Sequence, residues 1–133
     1  MSERRPIVVR EARAADVPAL TRLCGQLGYG SGEAQVQRRF ERICEDREHR
    51  IFVAEDSAGA VVGWVQVHLT RWLASDLRGE VAGLIVSAEA RGHGVGRQLM
   101  QAAIGAGYAD EDYMAIVKLA AQQAGLSNED LER

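Results

Sequence analysis

Between residues 91 and 97 the chain reads Arg91-Gly92-His93-Gly94-Val95-Gly96-Arg97, with a glycine at every second position. Glycines spaced this way let a backbone turn sharply and bring several bare N–H groups to one point. The apolar run Leu84-Ile85-Val86 leads into the segment, and Val95, Leu99, Ala102 and Ala103 follow at helical spacing. A loop that opens a helix adds the positive end of the helix dipole to those N–H groups. The chemistry such a loop suits is the holding of a phosphate or pyrophosphate. Two common phosphate loops do not fit. A Walker loop requires Gly-Lys followed by Ser or Thr, whereas Gly96 is followed by Arg97 and Gln98. A dinucleotide fingerprint requires GxGxxG in a first βαβ unit; Gly92-x-Gly94-x-x-Arg97 lacks the third glycine and comes late in the chain.

The elements that must position this loop are legible from periodicity. Ile7-Val8-Val9 after Pro6 predicts a first strand. Asp16 is placed to cap a helix with Pro18 in its first turn, and Leu20, Leu23, Cys24 and Leu27 give that helix its apolar stripe up to Gly28. Ser31 or Gly32 opens a second helix with Val36, Phe40, Ile43 and Cys44 on one face and mixed charge elsewhere. Ile51–Ala54 reads as the next strand, Asp56-Ser57-Ala58-Gly59 as a turn, and Ala60 to about Thr70 as a longer strand. Strict alternation there puts Val61, Gly63, Val65, Val67 and Leu69 on one side and Trp64, Gln66, His68 and Thr70 on the other. A loop rich in Ser, Asp and Arg then leads to a strand from Glu80 to Val86. The order is β-α-α-β-β-β-α. Further on, Glu111 to Ala124 is predicted helical, and Ser127 with Asp130 forms a capping box.

With 133 residues, the chain has the length of one domain. Its charge is −3, from 16 Lys+Arg and 19 Asp+Glu, which gives no electrostatic reason to expect nucleic acid or an anionic membrane as partner. Cys24 and Cys44 have neither metal-site nor disulfide-framework spacing, so no metal is expected and a reducing cytoplasm is the expected location. No signal peptide and no bilayer-length apolar run is read.

The pattern Arg-x-x-Gly-x-Gly directly after an apolar strand resembles the acetyl-CoA loop of the GNAT superfamily of N-acetyltransferases. The preceding element order and the opening Val9-Arg10-Glu11-Ala12 are similar too, so the likeness covers about residues 6 to 104. It implies an α/β (α+β) fold, a mainly antiparallel sheet flanked by helices, with residues 1–104 as the acetyl-CoA-binding domain. By that resemblance, backbone N–H groups from Gly92 through His93, Gly94 and Val95 to Gly96 hold the CoA pyrophosphate. Arg91 and Arg97 add positive charge beside it. Ile85 and Val86 lie along the pantetheine arm, and a main-chain N–H of their strand polarises the thioester carbonyl. The implied reaction is acetyl transfer from acetyl-CoA to a primary amine of a small molecule or protein.

An alkyl ammonium loses its proton only near pH 10, so transfer at neutral pH needs a base. Glu80 is the candidate, since enzymes similar to this chain often place a carboxylate on that strand. His68, beside Trp64 and Gln66, is placed to line an acceptor cleft, and Tyr29 between two glycines to border it. The family's usual closing strands are not visible after Val86. Residues 105–133 are instead expected to form a helical tail on the same domain. Within it, Gly107-Tyr108-Ala109-Asp110-Glu111-Asp112-Tyr113-Met114-Ala115 is faintly similar to the closing helix of the β-hydroxyacid dehydrogenases, without the rest of that family's sequence. A shortened tail leaves a second reading open, a CoA-binding or protein-interaction domain without efficient catalysis. An apolar edge strand with neither Lys nor Pro also predicts a homodimer.

Overall fold

The computed structural model describes residues 6–26, 28 and 30–103. Tyr29 and the tail from residue 104, with the helix and capping box read there, lie outside the described residues. Four strands, β1 (Val8–Glu11), β2 (His49–Glu55), β3 (Val61–Trp72) and β4 (Ser75–Val86), form one sheet in the order β1-β2-β3-β4. All three pairings are antiparallel. Helices α1 (Val17–Gln26) and α2 (Glu33–Glu45) cover one side, and α3 (Val95–Ala103) covers the other. The predicted fold class is therefore observed.

Each side of the sheet has its own core, because alternate residues of a strand face opposite ways. Toward α1 and α2, Val53, Val61 and Ile85 pack with Val17, Leu20, Leu23 and Phe40. Toward α3, Phe52, Ala54, Val65, Val67, Val81, Leu84 and Val86 pack with Val95, Leu99, Met100 and Ala103. The glycine loop is thus tethered from both ends: β4 is buried on both sides before it, and α3 is anchored by its apolar stripe after it.

Five sequence expectations need correction. β2 starts at His49 rather than Ile51, since His49 and Arg50 already pair with His68 and Val67. β4 starts at Ser75, five residues before Glu80, because Leu73-Ala74 is a turn tight enough to pair Trp72 with Ser75. The polar stretch expected to be a loop is therefore strand, and Glu80 lies within β4. Third, Val61 sits on the α1 side with Trp64, while Val62 packs toward α3. A register shift between Ala54 and Glu55 inserts one extra residue in β3, and a one-residue slip reverses every side chain before it. Fourth, Asp16 ends a single 3-10 turn, Ala14–Asp16, rather than capping α1 from outside. Its carboxylate accepts the Arg13 N–H at 2.7 Å and meets Arg10 in two bonds of 2.8 and 2.9 Å. Last, Cys44 is exposed and does not join Phe40 in the core.

Candidate functional site

The site begins where β4 ends. Val86 is followed by a 3-10 turn, Ala88–Ala90, and by the tight turn from Arg91 to Gly94 that opens α3. Gly92 and Gly94 adopt φ of 82° and 81°, the left-handed region that a Cβ disfavours. Those two angles turn the chain at once into α3, whose first turn is closed by Gln98 N–H donating to the Gly94 carbonyl at 3.1 Å. The first N–H groups of a helix have no partner inside it, so the turn presents donors and a dipole together. Val95 and Gly96 are buried, and His93 and Arg97 are exposed at the surface of the turn. Arg91 turns back, donating from Nε to the Val86 carbonyl at 3.1 Å, so it ties the loop to the strand end. A second tie comes from α1, where Gln26 Oε1 accepts the Ala88 N–H at 3.2 Å. Beside the loop opens a cavity of about 680 Å³, lined in part by Arg22, Gln26, Asp56, Ser87 and His93.

Ile85 and Val86 are almost wholly buried, one toward α1 and the other toward α3. Their backbone has β3 on one side and no further described strand on the other. Upstream, the β3–β4 register shifts between Gln66 and Val67: Gly83 pairs with Gln66 and Val81 with Val67, which leaves Ala82 as the extra residue of a bulge. Bulges release backbone groups from the ladder and re-aim the chain. Gly83 is required there for a steric reason, because a Cβ would stand 2.9 Å from Cη2 and 3.0 Å from Cζ3 of Trp64. Gly83→Ala is expected to push the indole off the strand, costing about 1 kcal/mol of stability and changing tryptophan fluorescence. An unaltered spectrum and urea midpoint would contradict that packing.

Beyond the bulge, Glu80 and His68 are cross-strand partners on the α1–α2 side of the sheet, with Glu80 Oε2 3.3 Å from His68 Nε2. Sequence reasoning had named both residues separately. The structure brings them together and adds His49, which sequence reasoning missed because β2 was expected to start two residues later. His49 pairs with His68, and the two imidazoles stack at 5.0 Å between centroids with planes 10° apart. Glu80 and the glycine loop sit at different points of one strand, six residues from Glu80 to Val86, or about 20 Å at the rise of a β-strand. Among the described residues, no group of three His, Cys, Asp or Glu side chains is arranged to hold a metal. No described helix is long and apolar enough to cross a membrane.

The chain matches the Acetyltransferase (GNAT) family over residues 17–127. It belongs to that family. The match runs past residue 104, where the resemblance read from sequence ends, and so includes the segment that looked like a dehydrogenase helix. Solved structures agree in fold. Glucosamine-6-phosphate N-acetyltransferase from Arabidopsis thaliana superposes with a TM-score of 0.64 at 23% identity, covering 92% of each chain. A transcriptional regulator from Bacillus halodurans reaches 0.68 at 22% identity, over 92% of this GNAT chain and 94% of its own. A phosphinothricin acetyltransferase from Sinorhizobium meliloti, solved with AcCoA, gives 0.61 at 27% identity over 75% of this chain and 58% of that one. No curated protein sequence matches the chain.

Proposed function

We propose that the protein is an N-acetyltransferase that binds acetyl-CoA along β4 and transfers the acetyl group to a primary amine. The observation that carries this reading is the pair of left-handed glycines, Gly92 and Gly94, at the mouth of α3. In this family member the donors of that turn suit the pyrophosphate, as AcCoA in the Sinorhizobium relative supports. From there the pantetheine arm would run back beside Val86 and Ile85, hydrogen-bonding to the outer edge of β4. Its extended reach ends near the bulge at Ala82, where a backbone N–H released from the ladder would polarise the thioester carbonyl and hold the oxyanion. Glu80 lies just beyond, on the side of the sheet facing α1 and α2, where its carboxylate beside His68 would help draw the proton from an incoming ammonium. Amine attack on the carbonyl carbon then breaks the C–S bond, and the departing thiolate takes up a proton.

The test is acetyl transfer to a panel of benzylamine, putrescine, glucosamine and a lysine-containing peptide, followed by release of free CoA thiol. Transfer to at least one amine is expected, and Glu80→Gln should lower kcat roughly 10²-fold or more. Acetyl-CoA binding without transfer to any amine would favour instead the second reading, a domain that binds CoA without turnover. The same outer edge of β4 is where a second copy of the chain would pair. Light scattering at micromolar concentration without acetyl-CoA is expected to give a dimer, and a monomer would contradict that pairing.

A further inference from the structure

Across the α1–α2 side of the sheet, one residue from each of three neighbouring strands falls in a single row: His49 on β2, His68 on β3 and Glu80 on β4. The row is closed at its far end by Asp46, just past α2, whose Oδ2 is 3.7 Å from His49 Nε2. Gln66 sets its amide Nε2 3.3 Å from His49 Nδ1. Asp46 from the end of α2 and Glu80 from β4 are set against the two stacked rings. Each ring has its own carboxylate. The same side of β3 also carries Trp64 and Thr70, whose Nε1 and Oγ1 are buried with no hydrogen-bond partner among the described residues.

We propose that His68, oriented by Glu80 and held flat by His49, is the group that takes the proton of the acceptor ammonium. This deepens the transferase reading and rests on it. A carboxylate opposite Nε2 fixes the neutral imidazole as the Nε2–H tautomer, which leaves the lone pair on Nδ1. The acceptor R–NH3⁺ gives one proton to that lone pair and becomes R–NH2, while His68 becomes an imidazolium beside the Glu80 carboxylate. The amine forms its bond to the thioester carbon, the C–S bond breaks, and the second amine proton leaves with the thiolate. His68 returns its proton to water. His49 touches neither reactant in this scheme. It is a positioning residue that keeps the His68 ring in plane, and its own Asp46 compensates a charge shared across the stack.

The chain has only three histidines, so their ring signals are separable by NMR. The ring nitrogen shifts of His68 are expected to show the Nε2–H tautomer in the parent and a mixture of tautomers in Glu80→Gln, and His49→Gln should change its ring-current shifts. His93, exposed on the glycine loop, should stay unmoved in both. In the amine panel, His68→Gln should lose roughly 10²–10⁴-fold in kcat while its stabilisation by acetyl-CoA persists. His49→Gln should shift the pH profile of kcat/KM. A His68 tautomer and ring shifts indifferent to both substitutions overturn the proposal, as does a His68→Gln enzyme with parental kcat and pH profile, and either result leaves the transferase reading standing. Acetyl-CoA that binds and is transferred to no amine removes the base role together with that reading. Failure of acetyl-CoA to bind removes the reading by itself, and is seen separately in the absence of stabilisation.

Discussion

Replacing Gly94 with glutamate is expected to lower acetyl-CoA affinity by at least ~100-fold, or about 2.7 kcal/mol. Two physical effects add. Gly94 holds φ of 81°, where an L side chain costs about 1–2 kcal/mol and tends to move the turn away from its donor geometry. A carboxylate at the mouth of α3 would also take the place of an anion and repel one. Gly94→Ala isolates the first effect and should lose less. Gly94 is buried in the turn but belongs to neither core cluster, so circular dichroism of both variants separates loss of the turn from loss of the fold. Calorimetric titration of both variants checks this, and parental affinity in Gly94→Glu would disprove the assignment of the loop.

The largest effect on stability is expected at Asp16. Its side chain is 7% exposed, and it is held by both terminal nitrogens of Arg10 and by the Arg13 N–H. Arg10 in turn donates from Nε to Glu55 at 2.8 Å, tying β1 to the end of β2. Asp16→Ala leaves a largely buried guanidinium short of its main partner and frees an N–H at the entry to α1. The cost should be about 2–4 kcal/mol, somewhat below that of a fully buried pair because Arg10 keeps some exposure to water. The pH dependence follows from the same contacts. The Arg10 hydrogen bonds hold the Asp16 carboxyl below its ordinary value of 3.8, against the opposing effect of burial. A depressed carboxyl contributes its full stability above the unfolded value and loses it as pH falls through the folded one. Urea unfolding of parent and variant between pH 7 and pH 2 should show the gap constant above about pH 5 and closing below it. A gap that does not narrow in acid would mean the carboxylate is not what holds the turn.

The legible parts of this protein were those written in local spacing. Leu20 and Leu23 announced α1, Val95 and Leu99 announced α3, and Gly92 with Gly94 announced the turn between β4 and α3, all of which depend on near neighbours in the chain. What stayed hidden depended on pairing between distant segments. Ser75 to Gly79 looks like a polar loop, and is strand only because the Leu73-Ala74 turn lays it against β3. His49 lacks the apolar alternation that marks a strand, yet joins β2 through its pairing with His68. The bulges at Val61–Gly63 and at Ala82 have no periodic signal at all, nor has the irregularity between Thr70 and Trp72, and each of the first two reverses which residues share a side. Gly83 itself was the available clue to the second, since a glycine within an apolar strand marks a bulge or a close approach, and it lies against Trp64. Glu80 and His68 could be picked out singly by residue type; their partnership needed the register.

The central claim is that the turn from Gly92 to Gly96 binds acetyl-CoA, and thermal unfolding of the parent chain with increasing acetyl-CoA tests it most directly. A ligand that binds only the native state raises stability by about 2.7 kcal/mol at one hundred times its Kd, which for a domain of this size is a rise of roughly 10 °C in Tm. The predicted result is a Tm that climbs with the logarithm of acetyl-CoA concentration, and does so far less in Gly94→Glu. A Tm unchanged up to millimolar acetyl-CoA, or one that rises equally in parent and Gly94→Glu, would contradict binding at this turn.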